Sequence, residues 1–108
     1  MLNNNLYINT IRICIKAKKI SIGETMLYDI RSNKAKVVVV ATNAGEASKK
    51  KVMDKCKSFK VTCIEMLSKE ELSYLFNKDI SGFAITDENL ANKFKENLNK
   101  GGITYGNK

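Results

Sequence analysis

The chain has 108 residues, 44% of them hydrophobic, so it can bury one modest core and has no room for a second domain. Its 19 lysines and arginines against 11 acidic residues give a formal charge of +8, which favours a polyanionic partner over an acidic metabolite. With no histidine and three cysteines in no CxxC spacing, a zinc site is excluded, and no apolar run is long enough to span a bilayer.

The first predicted element is a helix from Asn4 to Lys18. Asn and Arg interrupt its apolar positions, so the N-terminus lacks the apolar core of a signal peptide, and we expect a cytoplasmic protein. The predicted inner face of this helix consists of Leu6, Ile11, Cys14 and Ile15.

A short strand at "KIS" follows, and then a second helix. Ser21 and Glu24 have the spacing of a capping box, which predicts the start of this helix, and Leu27 and Ile30 form its inner face. The next strand, Lys36 to Thr42, is continuous and β-branched, which is typical of a strand covered on both faces.

Two further helices carry the same start signal, Asn43-x-x-Glu46 and Ser68-x-x-Glu71. Strands are predicted at Val61 to Met66 and Ile80 to Thr86, and a last helix follows the second of these. The apolar stripes of these three helices are Val52, Met53, Cys56 and Phe59, then Leu72, Leu75 and Phe76, then Leu90, Ala91, Phe94 and Leu98.

This alternation predicts an α/β fold, a three-layer α/β/α sandwich with a small mixed four-stranded sheet. We expect a single domain over 1–108, monomeric, with an ordered core at about 5–99. The polar first residues and the Gly pair near the C-terminus predict loosely packed ends.

Catalysis has little support in the sequence. A nucleophile would have to be a cysteine or a serine without a histidine base, and "ATNAGEASKKK" contains only Gly45 of the glycines that a phosphate loop needs. We therefore predict no enzymatic activity, no catalytic residue, and no cofactor or metal. We expect none of the three cysteines to be catalytic or disulfide-bonded.

The lysines favour nucleic-acid binding. Clusters near Lys19 and Arg31 bracket loops at the ends of strands, where phosphates could be neutralised. On the third helix we interpret the outward lysines as solvated: Lys49, Lys50, Lys57 and Lys60.

Four stretches between residues 11 and 98 carry a family resemblance: "KAKKISIGE", "IRSNKAKVVVVAT", "KKKVMDKCK" and "FAITDENLANKF". On these the chain resembles the bacterial YlxQ branch of the kink-turn RNA-binding ribosomal protein superfamily. The resemblance implies the same three-layer fold, binding of structured RNA and association with the ribosome.

In that superfamily a Gly-x-Asn-Glu motif at the start of the second helix reads the RNA, with a lysine one turn further on. The matching positions here are Glu24, Thr25 and Tyr28, or one residue further along when Gly23 is the anchor. The Asn-Glu pair is absent in either register. Glu24 can accept from guanine, Thr25 can bond a base edge or a phosphate, and Tyr28 can stack; Glu24 could equally serve only as a capping-box acid.

The resemblance adds two loops to the surface. In the loop after the third main strand, the apolar residues Met66 and Leu67 would pack on unstacked bases, or else fold onto the core. In the loop after the valine strand, Thr42 and Asn43 match a weaker RNA contact, although Asn43 could equally be a helix cap. The predicted RNA-binding residues are Lys19, Ser21, Gly23, Glu24, Thr25, Tyr28, Asn43, Met66, Leu67 and Lys69. The alternative function is a protein-interaction module on the same fold, with a degenerate RNA-binding motif.

Overall fold

Five helices and four strands alternate along residues 6–100, the part of the chain that the computed structural model describes. The loose ends that the sequence predicts lie largely outside these residues. Every helix within them is too short or too polar to cross a membrane. In chain order the elements are α1 Leu6–Lys16, β1 Ile20–Ser21, α2 Gly23–Arg31, β2 Val37–Val40, α3 Glu46–Ser58, β3 Thr62–Glu65, α4 Lys69–Phe76, β4 Gly82–Ile85 and α5 Glu88–Lys100.

The strands form one mixed sheet in the order β1-β4-β2-β3. The valine strand β2 lies at its centre, parallel to β3 and antiparallel to β4, and β4 is antiparallel to β1. All four valines of β2 are buried, because helices cover both faces of the sheet.

An apolar cluster lies on each face of the sheet, between the strands and the helices that cover that face. Val37, Val39 and Phe83 point to the face covered by α1, α4 and α5, whereas Val38 and Ala84 point to the face covered by α2 and α3. This arrangement confirms the predicted three-layer α/β/α sandwich with its small mixed sheet.

The predicted helix faces are largely correct, with two differences. Leu6 is 51% exposed, and Ile8 takes its place in the core, because Ile8, Ile11 and Cys14 share the face of α1 that meets the sheet. Met53, predicted in the stripe of α3, is 38% exposed.

One of the three predicted capping boxes forms. Ser68 Oγ accepts from the N–H of Glu71 at 3.1 Å, and the Glu71 carboxylate accepts from the N–H of Ser68 at 2.8 Å. The box at Ser21 is wrong, since Ser21 pairs with Ala84 in β1 and α2 begins without a side-chain cap. The third box is also wrong: the N-cap of α3 is Gly45, not Asn43.

Candidate nucleic-acid interface

Sheet topology brings four connections together. Since β2 and β3 are parallel and β4 is antiparallel to both β2 and β1, strands β1, β2 and β3 all end where β4 begins. We call this the loop end of the sheet. It collects the start of α2 after β1, the β2–α3 loop, the β3–α4 loop and the α4–β4 connection, so most of the predicted site residues meet there.

The predicted site residue Lys19 does not lie at the loop end. Its carbonyl accepts from the N–H of Thr86 at 2.9 Å, just beyond the end of β4. Lys36 occupies a similar place before β2, where its N–H donates to Ile85 O at 2.8 Å. The basic clusters that contain Lys19 and Lys36 therefore lie toward the opposite end of the sheet.

The start of α2 is an open helix N-terminus. Gly23 has a φ of +60°, a left-handed conformation that residues with a side chain adopt at a cost. The first N–H bonded within the helix is that of Met26, to Ile22 O at 3.3 Å. Within residues 6–100 the N–H groups of Gly23, Glu24 and Thr25 have no partner, so they can bind an anion such as phosphate at the positive end of the helix dipole.

Two exposed side chains extend from this helix start. The side chains of Glu24 and Thr25 make no hydrogen bond or ion pair with any other described residue, so Glu24 does not act as a capping acid. A free carboxylate can accept from the paired N–H donors on the edge of guanine, and a hydroxyl can bond a base or a phosphate. The chemistry that the resemblance implies for these positions is sterically open.

The next two predicted residues on this element have other neighbours. Tyr28 is 55% exposed, and the Lys34 ammonium lies 5.9 Å from the centre of its ring, within the range of a cation–π contact. Ser21 is buried at 5% exposure, and its Oγ has no hydrogen-bond partner among the described residues. Of these two residues, only Tyr28 presents its side chain at the surface.

Hydrogen bonds fasten the β2–α3 loop to the β3–α4 loop. The N–H and the hydroxyl of Thr42 both donate to Leu67 O, at 2.8 and 3.1 Å. Asn43 accepts from the N–H of Lys69 at 2.8 Å and donates to Glu70 at 3.1 Å. The bond from Asn43 is the main cause that holds the pKa of Glu70 below its ordinary value. The two loops thus form one platform.

Lys49 strengthens this platform from α3. Its ammonium donates to Thr42 O and to the Glu65 carboxylate, both at 2.8 Å, and its side chain is only 19% exposed. The prediction that Lys49 is solvated is therefore wrong. Lys50 is highly exposed, as predicted, and lies 3.3 Å from Asp54 one turn further along α3.

The apolar pair in the β3–α4 loop is mostly turned inward. Met66 is 7% exposed and belongs to the core that α1, α4 and α5 cover, so of the two alternatives for this residue the structure shows the one in which it folds onto the core. Leu67 is half-buried with a φ of +65°, a conformation that costs a leucine about 1–2 kcal/mol. Only part of the Leu67 side chain remains available to a base.

A cleft of about 430 Å³ lies beside the start of α2. Within the described residues its two lysines, Lys51 on α3 and Lys78 before β4, make no ion pair. Neither lysine is among the predicted RNA-binding residues, because only the fold brings α3 and the α4–β4 connection next to Gly23. The polar lining comprises Glu24, Ser48, Lys51, Lys78, Asp79 and Ser81.

The thiols lie apart from this surface. Cys14, Cys56 and Cys63 are free, and burial raises the pKa of Cys14 to about 11. Cys56 donates a hydrogen bond to Cys63, which lowers the pKa of Cys63 and raises that of Cys56. No group of three or more Cys, Asp or Glu side chains within residues 6–100 is arranged to hold a metal ion.

Known proteins resemble the chain in sequence and in fold. The RNA-binding protein YlxQ of Enterococcus faecium is 39% identical over 95 residues, covering 87% of this chain and 92% of that protein. The RNA-binding protein YlxQ of Bacillus subtilis is 34% identical over 80 residues, covering 72% of this chain and 80% of that protein.

Two solved structures share the fold at lower sequence identity. A Bacillus halodurans protein of unknown function superposes with a TM-score of 0.79 at 18% identity, over 86% of this chain and 96% of that one. The 15.5 kD RNA-binding protein of Giardia lamblia superposes with a TM-score of 0.70 at 20% identity, over 86% of this chain and 82% of that one.

A family model covers most of the described chain. The model for the ribosomal protein L7Ae/L30e/S12e/Gadd45 family matches residues 9–95, from the first turn of α1 into α5. This match includes the whole loop end, and it agrees with the two relatives of 34–39% identity. The chain therefore belongs to the ribosomal protein L7Ae/L30e/S12e/Gadd45 family.

Proposed function

We propose that this protein binds structured RNA through the loop end of its sheet. The observation that carries the proposal is the open N-terminus of α2, where three free N–H groups lie beside a cleft containing Lys51 and Lys78. Backbone donors at a helix start and nearby unpaired ammonium groups are suited to bind phosphates.

The relatives support the same function. Both are named RNA-binding proteins, and the +8 charge of this chain suits a polyanionic ligand. Membership of the family confirms the prediction that the chain is not an enzyme.

Within this proposal the side chains divide into two groups. Glu24 and Thr25 bond base edges, and the exposed part of Leu67 packs on an unstacked base. Lys51, Lys69 and Lys78 neutralise phosphates around them. The hydrogen bonds of Thr42 and Asn43 hold the β2–α3 loop and the β3–α4 loop in a fixed position relative to each other.

We extend the proposal to the RNA class and the location in the cell. Ribosomal RNA, or another RNA with a kink-turn-like bend, is the ligand class that the family suggests, and the protein would act in the cytoplasm. Sedimentation of a cell extract on a sucrose gradient tests this extension, which predicts that the protein travels with a ribosomal subunit at low salt and leaves it at high salt.

Filter binding against a panel of RNAs tests the proposed reading surface. The panel contains a kink-turn hairpin, the same hairpin without its bulge, and hairpins with single guanine replacements. Glu24→Ala and Thr25→Ala should each reduce discrimination within the panel by about 1–3 kcal/mol, because a base-edge contact is lost.

Glu96→Ala, an equivalent truncation of an exposed glutamate on α5, is the control for charge. If folded Glu24→Ala and Thr25→Ala variants discriminate between the RNAs as the parent does, the loop end is not the reading surface.

The alternative of a protein-interaction module rests on one observation, the absence of the Asn-Glu pair at the start of α2. It becomes the better account if the parent protein binds none of the panel. Capture of a partner protein by the same loop end, and its loss in Thr25→Ala, would then be the result expected.

A further inference from the structure

A second surface lies between α3 and β3, apart from the cleft beside α2. It is an open groove of about 880 Å³, larger than that cleft. Its apolar floor includes the half-buried Val61 and Cys63 and the exposed side chain of Met53. The proposed RNA-binding function uses none of these residues.

One wall of the groove is the outer edge of strand β3. Among residues 6–100, β3 is an outer strand of the sheet and pairs with β2 alone. Met66 donates its N–H to Val40 O at 3.1 Å, so by alternation the backbone groups of Cys63 and Glu65 point away from β2. Within residues 6–100 these outward N–H and C=O groups have no hydrogen-bond partner. An exposed strand edge of this kind is a template for an added strand.

The charges along the groove are unevenly satisfied. Lys49 and Lys50 are neutralised by Glu65 and Asp54, whereas Lys57 and Lys60 make no ion pair with another described residue. Lys57 and Lys60 lie at the end of the groove where β3 begins, and both are exposed. A ligand that carries a carboxylate at this position would find two free ammonium groups.

The groove is better suited to a peptide than to RNA. The strand edge offers carbonyl acceptors as well as N–H donors, and a carbonyl oxygen cannot pair with a phosphate oxygen because neither has a hydrogen to donate. A peptide backbone matches this alternation of donors and acceptors, and its alternate side chains would point to the apolar floor.

We propose that the groove between α3 and the free edge of β3 binds an acidic, extended peptide segment of a partner protein, which joins the sheet as a fifth strand. Carboxylates of the segment lie near Lys57 and Lys60, and its apolar side chains contact Met53 and Val61. This site is separate from the proposed RNA-binding surface, so a failed RNA experiment leaves it standing.

Three labelled peptides test the proposal by fluorescence anisotropy with the full chain. The first alternates Glu and Val, the second replaces each Glu with Lys, and the third is the acidic peptide with every backbone amide methylated, so that neither of its edges can pair. Only the first should bind, because the second has the wrong charge and the third cannot pair with a strand edge. In ¹⁵N-labelled protein, the amide signals of Cys63 and Glu65 should shift on binding.

Charge reversals locate the carboxylate contacts. Lys57→Glu and Lys60→Glu should each weaken binding of the acidic peptide by about five- to tenfold, as expected when an exposed attraction becomes a repulsion. Lys93→Glu makes the same charge change at an exposed position on α5, across the sheet from α3, and should have little effect.

Several results would overturn the proposal. These are equal binding of the acidic and basic peptides, equal weakening by Lys93→Glu and Lys57→Glu, or absence of binding by the acidic peptide. The RNA alternative would replace it if an oligouridine shifted the Cys63 and Glu65 amide signals and the acidic peptide did not.

Discussion

At the scale of single residues, Asn43 illustrates how a local signal and a distant contact compete. Its spacing from Glu46 predicts a helix cap, but its side chain bonds Lys69 and Glu70 across the neighbouring loop. The side-chain oxygen of Asn43 accepts from the N–H of Lys69, and the N-cap of α3 is Gly45. The role of Asn43 is to join two loops of the proposed interface.

The pKa of Glu70 reports this contact. Its ordinary value is 4.5, and the hydrogen bond from Asn43 lowers it by stabilising the charged carboxylate. Asn43→Ala should therefore raise the pKa of Glu70 toward 4.5, as measured by an NMR titration of its side-chain carboxyl carbon. Because the folded pKa is depressed, the contact contributes stability above pH 4.5 and loses it as the pH falls through the folded pKa.

Asn89→Ala removes an exposed asparagine from α5 and serves as the matched control. It should leave the Glu70 titration as it is in the parent. An unchanged Glu70 titration in Asn43→Ala would show that the amide is not what stabilises this carboxylate.

At the scale of elements, helix ends decide where the sequence succeeds and fails as a guide. The Ser68 box forms because its helix follows a loop, so both partners are free for local hydrogen bonds. The Ser21 box fails because a two-residue strand places Ser21 in the sheet opposite Ala84. Pairing with a strand so distant in sequence leaves no local signal, so a capping pattern alone could not exclude it.

Left-handed residues end several helices and give a prediction about stability. Lys18 follows α1 with a φ of +60°, and the backbone N–H of Lys19 donates to Cys14 O at 2.9 Å across this turn. The left-handed conformation destabilises the folded protein by about 1–2 kcal/mol when the residue is lysine, and glycine avoids this cost. Glycine also gives the unfolded chain more conformational freedom, which offsets about half of that gain in stability. Lys18→Gly should therefore stabilise the fold by about 0.5–1 kcal/mol in urea unfolding.

Asn33, with a φ of +64° after α2, is the matched comparison. Asparagine tolerates the left-handed region better than lysine, so Asn33→Gly should stabilise the protein less. A Lys18→Gly variant no more stable than the parent would contradict the argument.

At the scale of the whole molecule, periodicity was sufficient for the layers but not for the surface. The valine strand and the helical stripes predict the sandwich, since burial on both faces imposes a pattern on the sequence. The positions of the charged surface residues follow no such periodic pattern in the sequence. Lys19 precedes β1 and lies toward the opposite end of the sheet, while Lys51 and Lys78 share a cleft only because the chain folds.

The distribution of charge yields the last prediction, on the salt dependence of RNA binding. If the cleft beside α2 holds phosphates, Lys51→Ala and Lys78→Ala should each reduce the slope of log K against log salt by about 0.7–0.9, the contribution of one neutralised phosphate. Filter binding at several salt concentrations measures this slope. Lys93→Ala, on α5, should leave it unchanged, and Lys19→Ala tests whether the RNA also reaches the opposite end of the sheet. If Lys51→Ala and Lys78→Ala both keep the slope of the parent protein, the bound phosphates lie elsewhere. If Lys19→Ala alone reduces the slope, the phosphates lie at the opposite end of the sheet.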